Sequence, residues 1–339
     1  MPSEADAALG ARTPTKGEVV MPNSPRKMLL AASTGGHLHE LVRQTEYLRP
    51  SDDSLWVTFE SPQADSLLRG RRVMHVPYVR PRDYVGVARA IGRVHGAIRG
   101  ERFDVAVSTG SAIALAVLPV ARMSRIPATY IESVCRVDGP SMTGRVLAGL
   151  HAADLRTQHA SWAGRRWHAQ PSVLATYARR LRPLPDRPLR VFVTLGTIEG
   201  YRFDALVDQV LRSGLAGPET TWQLGFTDRD DLPGRVHGHL APEEFARIAL
   251  EADVVVTHAG VGTLLGMLEL GIHPLLVVRR ASRGEHVDDH QEQIADLVRE
   301  LRVADAVEID DLDAGTMVEA ARWEIVDRVD EPALAGRAA

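Results

Sequence analysis

Four stretches of this chain bring together glycine, histidine, hydroxyl and charged residues in patterns suited to a phosphorylated ligand. The most informative is His258-Ala259-Gly260-Val261-Gly262-Thr263, which follows the apolar residues 254–256 and precedes Leu264, Leu265 and Leu268. A buried strand that runs into a glycine turn and opens a helix aims unpaired backbone N–H groups and the positive helix end at one spot, a natural phosphate site. Gly260 and Gly262 let a diphosphate approach the backbone, and the Thr263 hydroxyl adds a hydrogen bond. Gly260-x-Gly262-x-x-x-Gly266 is one residue too long for a dinucleotide fingerprint and lies late in the chain, which argues against a nicotinamide enzyme. A turn that merely packs helix on strand is the plainer alternative.

A second stretch, Ser33-Thr34-Gly35-Gly36-His37-Leu38, follows an apolar run near the start of the chain. At a helix start in a glycine turn the His37 ring can face a cleft, and imidazole titrates where a general base must. The alternative is an N-cap from Ser33 or Thr34 beside an inert histidine. The third, running from Arg279 to Gln291, follows the apolar run 274–278 and so falls at the carboxyl edge of the same sheet, where open α/β sheets bind ligands. Asp289 and Gln291 suit sugar hydroxyls. His286 and His290, four residues apart, have the spacing of metal ligands, but nothing else with ligand spacing is nearby, and an ordinary polar helix start led by Glu285 is the plainer reading. In the fourth, Thr109-Gly110-Ser111 and Tyr130-Ile131-Glu132-Ser133-Val134-Cys135-Arg136 put small hydroxyls, a carboxylate and an arginine at two more strand ends. Such convergence points to one site.

The elements that must position these residues alternate. Strands are expected at 27–32, 55–59, 73–76, 105–108 and 128–131, with helices at 85–99 and 113–123. Pro171, Pro183, Pro185 and Pro188 then mark a linker over 171–190. Beyond it strands are expected at 189–195, 221–226, 253–258 and 274–278, and helices at 204–212, 242–251, 262–270 and 286–301. This is an α/β chain with two parallel sheets. Its 339 residues suit two domains, and its one cysteine, Cys135, excludes an intrachain disulfide. No apolar run reaches the roughly 20 residues of a membrane-spanning helix. Residues 1–190 hold 27 of the 40 basic and 16 of the 44 acidic residues, a net +11 against −15 for the remainder. The two halves therefore face different surroundings.

Together these motifs give the chain a specific resemblance. Val193-Thr194-Leu195-Gly196-Thr197, the 258–263 turn, and Gly284-Glu285-His286 with Asp289-His290-Gln291 resemble the C-terminal domain of family 28 glycosyltransferases. The nearest likeness is to the catalytic subunit of two-part enzymes that glycosylate lipid-linked diphosphate sugars. Ser33 to Leu38, Ser108-Thr109-Gly110, Ile131-Glu132-Ser133 and Ser141-Met142-Thr143-Gly144-Arg145 resemble the membrane-recruiting partner subunit, as if both were fused here. The resemblance implies a GT-B architecture, two Rossmann-like domains facing a cleft, with inverting chemistry and no required metal or other cofactor.

The expected organisation is a disordered leader (1–25), an acceptor-binding domain (26–170), the linker (171–190), a donor-binding domain (191–315) and a C-terminal helix and tail (316–339). The expected activity moves a hexose-type sugar (of the GlcNAc, glucose or glucuronic acid type) from a UDP-sugar to a polyprenyl-diphosphate-linked acceptor. His37 is the expected base, with Glu132 in reserve. Ser33, Thr34, Gly35, Gly36, Gly110, Ser111 and Arg136 would bind acceptor. Gly196, Thr197, His258, Gly260, Gly262, Thr263, Glu269, Glu285, Asp289, His290 and Gln291 would bind donor. Gly266 stands where many members carry a ribose-binding glutamate, and Glu269, one helical turn on, is the candidate substitute. No nucleic-acid partner is expected; the location is cytoplasmic, with peripheral contact to an anionic membrane through arginines around the 85–99 helix. An epimerase of the same fold, a transferase acting on a soluble natural product and a non-catalytic UDP-sugar-binding scaffold remain alternatives.

Overall fold

The computed structural model describes residues 24–78, 84–196, 201–280, 283–285 and 290–327. The leader up to residue 23 and the tail beyond 327 lie outside the described residues. The first half contains β1 (Met28–Ala32), α1 (Gly36–Leu48), β2 (Leu55–Phe59), α2 (Pro62–Leu67), β3 (Arg72–Val76), α3 (Tyr84–Ile98) and β4 (Val105–Gly110). It continues with α4 (Ala112–Met123), β5 (Ala128–Ile131), α5 (Met142–Leu150), β6 (Asp154–Thr157) and β7 (Trp167–Ala169). These strands form a seven-stranded sheet in the order β3-β2-β1-β4-β5-β6-β7, parallel throughout. All five residues of β1 are buried, as an unbroken apolar run must be when helices cover both faces of a sheet.

After β8 (Tyr177–Leu181) the second half supplies β9 (Val191–Thr194), α6 (Asp204–Arg212), β10 (Thr221–Gln223), β11 (Arg235–His237), α7 (Pro242–Glu251) and β12 (Val254–His258). Then come α8 (Val261–Glu269), β13 (Leu275–Val277), α9 (His290–Leu301), β14 (Asp305–Val307), α10 (Ala314–Ala320) and β15 (Trp323–Asp327). The six-stranded sheet, β11-β10-β9-β12-β13-β14, is again parallel. In each sheet the strand order reverses at one place, between β1 and β4 and between β9 and β12. Crevices open at such reversals, beyond the carboxyl ends of the strands. The Ser33–Gly36 and Gly110–Ser111 turns stand at the first reversal, and Gly196 with the 258–263 turn stands at the second.

One local feature differs from the sequence reading. The proline-rich 171–190 segment is not a plain linker: it forms a 3-10 turn (Val173–Thr176) and β8, which pairs antiparallel with β15. The prolines flank this strand rather than interrupt it, and its partner lies far along the chain. The Arg43 guanidinium, on α1, donates to Thr176 Oγ1 at 2.7 Å, pairs with Asp327 and lies 4.6 Å from the Tyr177 ring. On α3, Val94 and Ile98 are buried and Val87 is half-buried against the core, leaving Ile91 and Val85 outward. That face packs on the domain, as a helix covering a sheet must. Among the described residues no helix is long and apolar enough to cross a membrane.

Candidate active site

The two glycine turns face each other across a cleft of about 910 Å³. Gly35 is the N-cap of α1 at φ 90°, a conformation that favours glycine, and no side chain caps the helix. The capping role open to Ser33 and Thr34 is therefore not taken. Gly260 caps α8, again without a side-chain cap. Both first turns keep backbone N–H groups for a ligand. The turns touch: a Cβ placed on Gly262 would lie 3.2 Å from Gly36 N, and one on Gly36 would lie 3.3 Å from Gly262 N. Two positive helix ends thus converge on one space, which favours a multiply charged anion such as a diphosphate.

His37 lines this cleft. Its ring lies against Gly110, where a Cβ would come within 3.0 Å of Cε1, and Gly110 itself has φ 115°. Thr109 Oγ1 donates to the His37 carbonyl at 2.6 Å. The ring keeps some surface open to the cleft, yet the protein packed around it pushes its pKa down to about 4, with Arg136 adding to the fall and a Thr109 backbone group opposing it. The imidazole is neutral at physiological pH, and its buried Nδ1 has no hydrogen-bond partner. Cys135 also lines the cleft, but burial pushes its thiol up to about 12 and removes it as a thiolate nucleophile.

Glu132, the reserve base, is turned away. It is 1% exposed and accepts from Tyr130 Oη at 3.0 Å and from the backbone N and Oγ of Ser141, both at 2.9 Å. Its role is to organise the start of α5. Glu40, on α1, was missed by sequence reasoning. Wholly buried in the wall of the cleft, it accepts from Ser133 Oγ at 2.6 Å, Val134 N at 3.0 Å and Gln158 Nε2 at 2.9 Å. It ties α1 to the loop that presents Cys135 and Arg136. Its place three residues after His37 was the one available signal.

Burial pushes the Glu40 carboxyl up to about 7 against these hydrogen bonds. Raised folded-state affinity for a proton means that stability falls as pH rises from the ordinary carboxylate range through 7. Glu40→Gln can keep all three bonds, because the Ser133 hydroxyl can reverse and accept from the amide. Relative to the wild type, this variant should gain about 2–3 kcal/mol between pH 5 and pH 8, at roughly 1.4 kcal/mol per pKa unit. Urea unfolding at the two pH values checks this, and a gain that is flat with pH would contradict it.

Of the acceptor-binding residues expected from sequence, Gly35, Gly36 and Arg136 line the cleft. Ser33 and Ser111 bond to each other at 3.3 Å behind the turn, and Gly110 makes room for His37. Thr34 is not among the lining residues. On the donor side Gly196, His258, Gly260, Gly262, Thr263, Glu269 and Gln291 line the cleft. The His258 ring is wedged between Gly196 and Gly260, where Cβ atoms would fall 3.0 and 2.3 Å from its Nε2. Glu285 does not reach the cleft; its carboxylate folds back on Arg280 N at 2.9 Å and Arg283 Nε at 3.1 Å. Thr197, Asp289 and the His290 side chain lie outside the described residues, as does His286. Gln223 and Phe245, which sequence reasoning did not single out, complete the donor wall; neither has a motif to mark it. Among the described residues no three His, Cys, Asp or Glu side chains gather as a metal site.

Residues 243–318 match the family model for the glycosyltransferase family 28 C-terminal domain. No curated protein matches the chain. Among solved structures, MurG of Acinetobacter baumannii is similar with a TM-score of 0.55 and 16% identity, over 87% of this chain and 93% of that one. The glycosyltransferase SnogD from Streptomyces nogalater gives 0.54 and 18%, over 88% and 93%. The S. aureus MnaA structure with UDP gives 0.51 and 11%, over 86% and 91%. At these identities the likeness is one of fold. The chain thus has the α/β GT-B fold, and its residues 243–318 match the glycosyltransferase family 28 C-terminal domain.

Proposed function

We propose that the protein is an inverting glycosyltransferase that moves a hexose-type sugar from a UDP-sugar to a hydroxyl of an acceptor held by the first domain, a polyprenyl-diphosphate-linked sugar. The observation that carries this reading is the meeting of two uncapped helix ends beside a neutral imidazole in one cleft. The acceptor oxygen attacks C1 of the sugar, the C1–O bond to the diphosphate breaks, and His37 takes the hydroxyl proton. Charge develops on the leaving diphosphate, where the backbone N–H of Gly262 and the positive end of α8 stabilise it. UDP as the carrier draws support from the UDP in the MnaA structure. In this reading one chain unites the recruiting and catalytic parts that related enzymes divide.

Mass-detected transfer from a panel of UDP-sugars, to lipid-linked and to soluble acceptors in parallel, tests the proposal. Absence of both transfer and UDP binding would remove it, and transfer only to soluble acceptors would remove the lipid-linked part.

A lipid-linked acceptor calls for a membrane-facing surface on the first domain. Helix α5 exposes Met142 (74%), Val146 (38%) and Leu150 (62%) along one side, with Arg145 beside them. Apolar residues can dip below headgroups while each flanking arginine contributes about 1 kcal/mol at an anionic surface. Flotation with liposomes of rising anionic content should therefore carry the protein, and about 0.5 M salt should release it by shortening the screening length. Equal recovery in the soluble fraction throughout would count against membrane contact.

A further inference from the structure

The donor helix α8 presents an incomplete face to the cleft, and the other domain completes it. At Gly266 there is no side chain, and a Cβ built there would meet only the ring of His39, 3.6 Å from Cε1 and 3.9 Å from Nε2. One turn on, Glu269 lines the cleft with its side chain 31% exposed, and His39 Nε2 lies 3.2 Å from its Oε2. His39 belongs to α1, so this pair crosses between domains.

His39 is itself held. Gln63 Nε2 lies 3.4 Å from His39 Nδ1, and Gln63 also bonds the Gly35 backbone twice, accepting from N at 2.6 Å and donating to O at 3.3 Å. An amide that donates to Nδ1 leaves the proton of a neutral ring on Nε2, facing Glu269. A chain of contacts therefore runs from the acceptor turn through Gln63 and His39 to a carboxylate on the donor helix.

The chemistry left open by this arrangement is specific. With Oε2 occupied, Glu269 keeps Oε1 and spare lone pairs in a fixed orientation, which suits a vicinal diol. Its position fits as well: Gly262 and Glu269 are about 10 Å apart along the helix axis, and helical side chains lean back toward the N-terminus. A nucleoside diphosphate laid along α8 from the Gly260–Gly262 turn brings its ribose hydroxyls to this carboxylate.

We propose that His39 is a positioning residue for donor selection: from the acceptor domain it holds Glu269 in the orientation that reads the ribose diol. The proposal rests on the reading of this cleft as a UDP-sugar site. It makes nucleotide recognition a joint property of both domains.

Calorimetric titration of the full chain with UDP and with 2′,3′-dideoxy-UDP tests it. The wild type should favour UDP by about 10- to 100-fold, the value of hydrogen bonds to a charged group. Glu269→Ala should bring the ratio near one by weakening UDP alone. His39→Ala should lose most of the ratio while dideoxy-UDP affinity stays constant, and His39→Gln, which still donates to Glu269, should restore much of it. A His39→Ala ratio equal to that of the wild type, or equal weakening of both ligands, overturns the proposal. No UDP binding by the wild type would overturn the donor reading and this proposal with it, whereas binding with an unaltered ratio overturns this proposal alone.

Discussion

His37→Ala is expected to slow sugar transfer by about 100- to 10,000-fold, the usual worth of a general base, while UDP affinity changes little. In the proposed function the diphosphate sits at the 258–263 turn of the other domain, so removing the ring spares it. The pH profile carries the same signature. Protonation inactivates a base, so kcat/KM should fall as pH drops through the free-enzyme value of about 4 rather than through the ordinary histidine range near 6.5. In the donor complex the diphosphate charge favours imidazolium, and the acid limb of kcat should lie at higher pH. Steady-state kinetics from pH 4 to 9, with calorimetric UDP binding, check both parts. A loss of only a few-fold would make His37 a turn residue.

Gly262→Val should cost at least about 100-fold in UDP affinity, because it fills the approach to the backbone on which diphosphate binding rests. The Cβ alone would stand 3.2 Å from Gly36 N, 3.4 Å from Gly36 Cα and 3.5 Å from Gly35 C, and a branched side chain adds atoms beyond it. The neighbours are backbone of the opposite domain and cannot rotate aside. Gly266→Ala, four residues along the same helix, is the control: its Cβ meets His39 at an ordinary 3.6 Å, and alanine suits a helix interior better than glycine. Calorimetry with both variants, and thermal unfolding to establish that each is folded, separates closed approach from general damage. Unchanged UDP affinity in folded Gly262→Val would place the donor elsewhere.

Much of this organisation was legible because local pattern governs it. Strands β1, β4, β9 and β12 are short apolar runs ending in glycine turns, and such runs announce both a buried parallel strand and the ligand edge beyond it. What escaped depends on where side chains turn and on partners that no local pattern names. Glu132 and Glu40 are both acidic and both close to a motif, yet Ser141 captures one, and Ser133, Val134 and Gln158 capture the other from 93, 94 and 118 positions away. Nothing local separates a carboxylate at a strand end that faces a cleft from one that faces the next helix. Strand β8 was hidden for the same reason: the prolines around it read as a linker, and the partner that makes it a strand begins at Trp323.

The β8–β15 ribbon bears on how such a chain can be recombined. Exchanging residues 191–315 for another donor half, an obvious way to seek new sugar specificity, would cut through an interlocked unit. Val173, Leu174 and Tyr177 sit in the apolar core beneath α8 and α9, and Ile325 N donates to Gly271 O at 2.8 Å, so both strands of the ribbon travel with the donor sheet. The transferable module runs from about residue 171 to Asp327, with both of its ends beside α1. A recipient must also supply an arginine at the position of Arg43 to receive Thr176 and Asp327. Two junctions, matched to one guanidinium, decide whether a graft folds as one enzyme or as two tethered halves.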